Sequence, residues 1–498
     1  MARGYNSAVS SKPSGTRHQA VRGAVYLVFR QAFSVVAGLF GLLFMTRLVG
    51  PEGYGVYAAA YGIFSYLTIL GESGIKMYLL RVRMETPMEV FHQAFCWLLA
   101  ASLILTGLVC GALGVALHLS LFNPLLLWTL LALCLGVPLA MTANIPMVLL
   151  ERALNYRAVA SIEVSSQLLY YTVGIVLAFK GYGVWAFVGA FWAGQVVLWG
   201  GAYASARYRP RWVYDTALIR DLMRNSLMLA SVGLSFHLRQ LLPALVLLPL
   251  GGAQAVGHYA IAQRILNTVG FVRDAIARLS VPLYARVQDN PSRLLRLGRL
   301  SAQAQLVGTF AFCFLFLLVG DPLLQRIFGD KWDIPLVLRA FSILAVSNLF
   351  FAIFGAQNQL LIVRGRTQIA LWTNIAYMVF SVLLGYLLVS FDKGGDTVIG
   401  FCLALALAHA VPHWMMHTAT RRYLGGVEYG MNLVWATGLG LALLMPFVGF
   451  WGLLGLAVLL LPASRAEIRE VVQMLKESLQ ARHRGGELPR TPVHTPDE

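Results

Sequence analysis

Apolar residues fill windows of about twenty positions along this chain, and the polar and charged residues collect in the short gaps between them. A helix of that length crosses the hydrocarbon core of a bilayer, so the pattern is that of a chain threading a membrane many times. The windows predict spans at 24–48, 55–79, 92–117, 124–149, 158–179 and 182–204, then at 226–249, 253–282, 300–320, 335–362, 368–390 and 397–417. The stretch 430–463 is too long for one ordinary span, and Pro446, Gly449 and Gly452 interrupt it, which predicts two short helices joined by a tight turn. The expected fold is an all-α polytopic membrane protein with about 14 transmembrane helices.

Composition agrees. Of 498 residues, 58% are hydrophobic and 12% charged, with a mean hydropathy of +0.68, which excludes a water-soluble globular enzyme. The net charge of +17 would suit nucleic acid or anionic lipid, and its placement decides between them. With the N-terminus inside, Arg81, Arg83, Arg152, Arg157, the group Arg207 to Arg224, Arg286 to Arg299, Arg364, Arg366, Arg421 and Arg422 all fall on the cytoplasmic side. The outer loops hold only Lys180, Arg326, Lys331 and Lys393. The excess is topological, nucleic acid is not needed as a partner, and both termini are expected in the cytoplasm. A single span over 430–463 would put the basic tail outside, a second reason to expect two.

The ends and the cysteines add little chemistry. The apolar run after the basic segment 1–22 is too long for a signal peptide, so it is expected to stay as a span. Cys96, Cys110, Cys134, Cys313 and Cys402 all lie in apolar runs without paired spacing and read as buried free thiols. In the tail, Ser464 with Glu467 three residues on resembles a capping box, and Ile468, Val471, Val472, Leu475 and Leu479 share one face. That predicts a helix on the cytoplasmic lipid surface, followed by disorder from Gly485.

A repeat organises the whole. Gly55-Val56-Tyr57-Ala58-Ala59-Ala60 returns 202 residues later as Gly257-His258-Tyr259-Ala260-Ile261-Ala262, each copy following an odd-numbered span in the same orientation. This predicts two parallel six-helix halves around a central cavity, the plan of a transporter. The expected organisation is a cytoplasmic segment 1–22, an N-terminal half 23–213, a C-terminal half 214–422, an extra helix pair 423–463, and the helix and tail 464–498.

Charges inside spans cost roughly 2.5 to 3.5 kcal/mol each and require a reason. Arg239 and Arg264 fall near the bilayer midplane, while Arg30 and Arg273 lie nearer the cytoplasm. These four are candidates for an anion-binding cavity suited to phosphate or pyrophosphate, since a guanidinium can bind such groups bidentately. For Arg273 an ion pair with Asp274, together with Arg278, is the competing structural reading. Glu72, Glu163 and His409 are candidates for carrying a coupling ion; interhelical salt bridges explain the two acids equally well. His409, His413 and His417 stand four apart, but Pro412 disturbs that face, and neither a metal site nor a cofactor is expected.

Four stretches carry a family resemblance: Arg47-Leu48-Val49-Gly50-Pro51-Glu52-Gly53-Tyr54-Gly55-Val56-Tyr57, Val256-Gly257-His258-Tyr259-Ala260-Ile261-Ala262, Val281-Pro282-Leu283-Tyr284-Ala285-Arg286 and Phe328-Gly329-Asp330-Lys331-Trp332. In order and spacing they resemble the Wzx-type polysaccharide flippases of the multidrug/oligosaccharidyl-lipid/polysaccharide exporter superfamily. The resemblance implies that a polyprenyl-pyrophosphate-linked oligosaccharide is moved across a bacterial inner membrane by alternating access. The product would feed O-antigen, capsule or exopolysaccharide synthesis, with a polysaccharide polymerase and chain-length machinery as partners and no covalent chemistry. It also implies a basic central cavity, for which Arg30, Arg239 and Arg264 are the matching positions. Many members resemble a twelve-span plan; the extra pair here is more like the lipid II flippase branch, where it contacts the lipid tail. Two other readings stay open. A multidrug exporter of the same superfamily should present a buried acid where this chain has Arg30 and Arg239. A membrane polymerase or glycosyltransferase needs a large outer loop, and those here reach only about a dozen residues.

Overall fold

Where the helices begin and end follows from a few prolines, glycines and capping side chains. The computed structural model describes residues 40–82, 86–119, 123–391 and 397–469, together with Arg30, Ala37 and Gly38. The basic segment 1–22 and the tail face from Val471 to Leu479 lie outside the described residues, as do the side chains of Asp274 and Arg278. Helix α1, Phe40–Val49, turns through Gly50 (φ 89°) into α2, Pro51–Glu72. Pro51 suits the first helical turn, whose N–H groups have no intrahelical acceptor. The span predicted over 55–79 is broken: Ser73 (φ 46°) and Gly74 (φ 75°) are left-handed, and α3, Ile75–Arg81, starts anew. Next come α4 (Met88–His118), α5 (Pro124–Cys134), α6 (Val137–Thr142), α7 (Asn144–Arg152), α8 (Tyr156–Phe179), α9 (Trp185–Ala206) and α10 (Thr216–His237). Asn123 and Asn155 cap α5 and α8 by accepting from the amides of Leu125 and Ala158.

After α10 the winding changes, first to a 3₁₀ turn, Leu238–Leu241, and then to a π segment, Pro243–Leu247. Pro243 lacks the amide that would continue the α ladder. The chain resumes as α11 (Leu248–Val269), α12 (Phe271–Arg286), α13 (Pro291–Phe328), α14 (Ile334–Val363), α15 (Thr367–Phe391), α16 (Thr397–Ala408) and α17 (Ala410–Leu424). Pro412 cannot donate to Ala408 and crowds its carbonyl, which accounts for the break at His409 between α16 and α17. The last elements are α18 (Asn432–Leu443), α19 (Met445–Val448) and a 3₁₀ stretch, Gly449–Leu460.

Among the described residues every regular element is a helix. Among the described residues eight helices are long and apolar enough to cross a membrane, or nine if the bent pair Asn432–Leu443 and Met445–Leu460 counts as one span. The count of 14 is therefore not reached on length and composition. Both α2 and α9 run for 22 residues, but their Gly, Tyr and Trp content lowers their hydropathy. Residues 230–268, read as parts of two spans, form one interrupted helical run. The pair after 430 does fold back on itself. A Cβ on Gly455 would lie 2.0 Å from Gly438 O, and one on Gly452 2.9 Å from Leu441 O, a pairing that runs antiparallel.

The chain packs as two compact units. The first comprises 1–268, 319–341 and 367–412. Its aromatic core sets Tyr54 and Tyr57 against Phe187, with ring centroids 5.5 and 4.8 Å apart, and Phe64 edge-on to Phe191 at 4.9 Å. Here the two copies of the repeat meet. A Cβ on Gly55 would lie 1.7 Å from Ala253 O, and one on Gly257 2.0 Å from Pro51 O, so α2 and α11 cross backbone to backbone. Trp332 closes the same end. Its indole N–H donates to Thr46 O (3.3 Å), its ring contacts Phe328, His258 and Tyr54, and Lys331 Nζ donates to Leu48 O (3.2 Å). Three of the four stretches that carry the family resemblance thus form one knot.

The second unit comprises 269–318, 342–366 and 413–498. The remaining stretch, Val281 to Arg286, lies in it, with Tyr284 buried among Leu294, Leu295, Leu360 and Leu424. The helical segment 462–469 starts on Pro462, which displaces the capping box expected at Ser464. Instead Ser464 Oγ accepts from Trp435 Nε1 (2.8 Å) and donates to Val458 O (2.7 Å). Glu467 turns to Gln303, Arg299 and the Met431 amide.

Candidate functional site

The charged candidates separate into pairs and clusters. Arg30 and Glu163, chosen from the sequence for different roles, form an ion pair with Nη1 2.6 Å from Oε2, each side chain about a third exposed. Glu72 accepts from Asn144 Nδ2 at 2.5 Å, on the last turn of α2 before its break. In the second unit Arg273 donates to Asn348 Oδ1 (2.6 Å) and lies 5.2 Å from the Phe351 ring centroid.

Arg239 rides on the 3₁₀ turn. Its Nε donates to Phe236 O (3.0 Å), and its guanidinium lies over two rings, 4.0 Å from the centroid of Phe236 and 5.1 Å from that of Tyr377. His409 completes the group, 4.2 Å from the Tyr377 ring, with Nδ1 hydrogen-bonded to Leu405 O. The other two histidines turn elsewhere: His413 stacks on Phe354 at 3.9 Å and His417 bonds Tyr429 OH at 2.8 Å. Among the described residues no group of three His, Cys, Asp or Glu is placed to hold a metal ion.

Arg264 differs from the rest. Its side chain is exposed on α11, seven residues and about 10 Å along the helix from the Gly257 crossing. No acid among the described residues pairs with it. It shares a pocket of space made by Gly38, where a Cβ would lie 3.0 Å from Arg264 Nη2, 3.5 Å from Gln167 Nε2 and 3.5 Å from Tyr171 OH. Tyr54, Tyr61 and Tyr171 lie within electrostatic reach of its guanidinium. Helix α8 presents Glu163, Gln167 and Tyr171 at four-residue spacing, so they share one face. Helix α11 adds an amide ladder, Tyr259 OH to Gln263 Oε1 (3.3 Å) and Gln263 Nε2 to Asn267 Oδ1 (2.9 Å). Charge alone does not single out Gly38, Tyr61, Gln167, Tyr171, Gln263 and Asn267 in the sequence. The available signal was the run of phenols and amides inside otherwise apolar spans.

This architecture defines a multi-span membrane protein with the fold of flippases and drug exporters. The lipid II flippase MurJ in an inward closed conformation matches with a TM-score of 0.66 over 91% of this chain and 100% of that one, at 13% identity. An inward-facing multidrug resistance transporter of the MATE family matches with a TM-score of 0.60 over 81% of this chain and 99% of that one, at 15% identity. The chain belongs to the polysaccharide biosynthesis protein family, whose model matches residues 44–337. It is 26% identical over 302 residues to the succinoglycan biosynthesis transport protein ExoT of Rhizobium meliloti (strain 1021), a match that covers 59% of this chain and 60% of that protein.

Proposed function

We propose that this protein moves a polyprenyl-pyrophosphate-linked oligosaccharide from the inner to the outer leaflet of the cytoplasmic membrane, by alternating access and without a covalent step. The observation that carries the reading is Arg264, a guanidinium exposed on an apolar helix and paired with no acid among the described residues. In a low-dielectric setting such a group favours an anionic ligand, and a pyrophosphate presents the acceptors its planar donors fit. Family membership and the name of the succinoglycan relative support a polysaccharide precursor as cargo. Arg239, on its aromatic cluster with His409, is the second anion contact. Arg30, held by Glu163, and Arg273, held by Asn348, are reserve positions that a charge on the cargo would have to win from existing partners.

A multidrug exporter is the competing function. A cationic drug needs an available acid, whereas Glu163 is engaged by Arg30 and Glu72 by Asn144. The test is the sidedness of the lipid-linked glycan, read with an impermeant sugar-modifying probe in inner-membrane vesicles from cells with and without the protein. Glycan confined to the cytoplasmic face only in its absence is the expected result. Unchanged sidedness, with the pathway active and no redundant flippase, would discard flipping in favour of small-molecule export.

A further inference from the structure

The side chains around Arg264 divide by hydrogen-bonding character. Arg264 is a donor only, which suits the acceptor-only oxygens of a phosphate. Gln167, Gln263 and Asn267 each carry both a donor and an acceptor, and so do the phenols of Tyr61 and Tyr171. A phosphate can use only the donors of those groups, whereas a ring of hydroxyls, each donor and acceptor at once, can use both. Tyr61 is 42% exposed although it stacks on Tyr57 with centroids 5.6 Å apart, so part of its ring remains available to a ligand. An aromatic face offers the apolar C–H side of a sugar ring the same kind of contact that aromatic side chains offer one another.

Geometry gathers these groups. Gly38 and, on α1, Gly41 leave room for Tyr171: a Cβ on Gly41 would lie 2.5 Å from the Tyr171 ring, and one on Gly38 would intrude between Arg264, Gln167 and Tyr171. On α11, Gln263 and Asn267 lie within about 100° of Arg264 around the helix axis. Their ladder ends on the exposed Asn267 amide. Polar side chains in an apolar span are expensive unless they face a partner or water, and here Gln167 and Tyr171 share the space beside Gly38 with the Arg264 guanidinium.

We infer that Tyr61, Gln167, Tyr171, Gln263 and Asn267 form a sugar-binding subsite beside Arg264, one that recognises the hydroxyls and ring face of the glycan separately from its pyrophosphate. This rests on the proposed lipid-linked oligosaccharide cargo. The test measures binding of two probes to the detergent-purified full chain: polyprenyl pyrophosphate, and the same lipid bearing its oligosaccharide, both extracted from cells depleted of the transporter. The unsubstituted protein should bind the glycan-bearing lipid more tightly than the bare one. Tyr61→Leu and Asn267→Leu should each reduce that preference, by about tenfold when combined, whereas Arg264→Ala should weaken both lipids alike. If Tyr61→Leu fails to fold, Asn267→Leu on its exposed site makes the same measurement. Equal binding of the two lipids by the unsubstituted protein, or a preference that survives both substitutions, overturns the subsite and leaves the cargo reading standing. Failure to bind either pyrophosphate lipid overturns the cargo reading and the subsite with it.

Discussion

At the residue scale the arginines that look alike in sequence have different partners, and their substitutions should behave differently. Arg30 and Glu163 neutralise each other at 2.6 Å. Losing either leaves a lone charge on an apolar helix, so Arg30→Ala or Glu163→Ala should each cost about 1–2 kcal/mol of stability, a value reduced for their partial exposure. The double substitution should recover part of that loss, which a double-mutant cycle on thermal unfolding in detergent would read. A double variant that loses the full sum of the two single losses would mean the pair contributes nothing. Arg264 has no such acid among the described residues. Arg264→Ala should abolish export at normal protein levels with little loss of stability, and Arg239→Ala should abolish export too. Arg264→Lys should retain only a fraction, because an ammonium lacks the bidentate fork. Full export in both Ala variants would sink the anion-cavity reading. The arginines and acids were legible in sequence because each charge in an apolar run is costly enough to stand out. Tyr61, Gln167 and Asn267 cost less one by one, and only the shared space beside Gly38 distinguishes them from scattered polar residues.

At the scale of elements, close backbone approach governs which glycines can change. Gly55 and Gly257 each face a carbonyl of the opposing helix, at distances a Cβ cannot occupy. Gly55→Ala or Gly257→Ala must push α2 and α11 apart and should destabilise the protein by about 1–3 kcal/mol. Gly111 on α4 has nothing within 4 Å of an added Cβ, and Gly111→Ala should be neutral or stabilising by about 0.5–1 kcal/mol. Thermal unfolding of the three variants side by side checks the ordering; equal effects would mean the crossing bears no load. The hydropathy windows located the apolar helices well, and the repeat announced the two glycines as equivalent. What no window shows is where a helix stops mid-membrane. The left-handed pair Ser73 and Gly74, and the switch to 3₁₀ and π winding around Pro243, are set by local backbone chemistry inside stretches that stay apolar throughout. The same insensitivity explains Ser464, whose capping pattern with Glu467 is genuine in spacing but is overridden by Pro462 and by the indole of Trp435.

For the whole molecule the charge distribution makes a claim that can be checked without knowing the cargo. The basic segments between helices, such as Arg286, Arg293 and Arg296, are expected on the cytoplasmic side, and the short turn at Lys180 on the other. The five native cysteines are free, three of them buried, so a version with all five replaced should fold and accept single reporters. A cysteine placed at Arg293, in an exposed first turn of α13, should resist an impermeant thiol reagent in intact cells and react once the membrane is opened. One placed at Lys180, exposed at the end of α8, should react in intact cells. Inverted labelling would put the knot of Trp332, Thr46 and Leu48 on the cytoplasmic side, so that α2 and α11 would close the entrance instead of the exit. Labelling as expected would place that knot at the outer end, with Arg264 about 10 Å farther along α11 toward the cytoplasmic side than the Gly257 crossing. Orientation therefore decides whether the α2–α11 crossing lies toward release or toward entry, and the anion-binding role proposed for Arg264 requires the first.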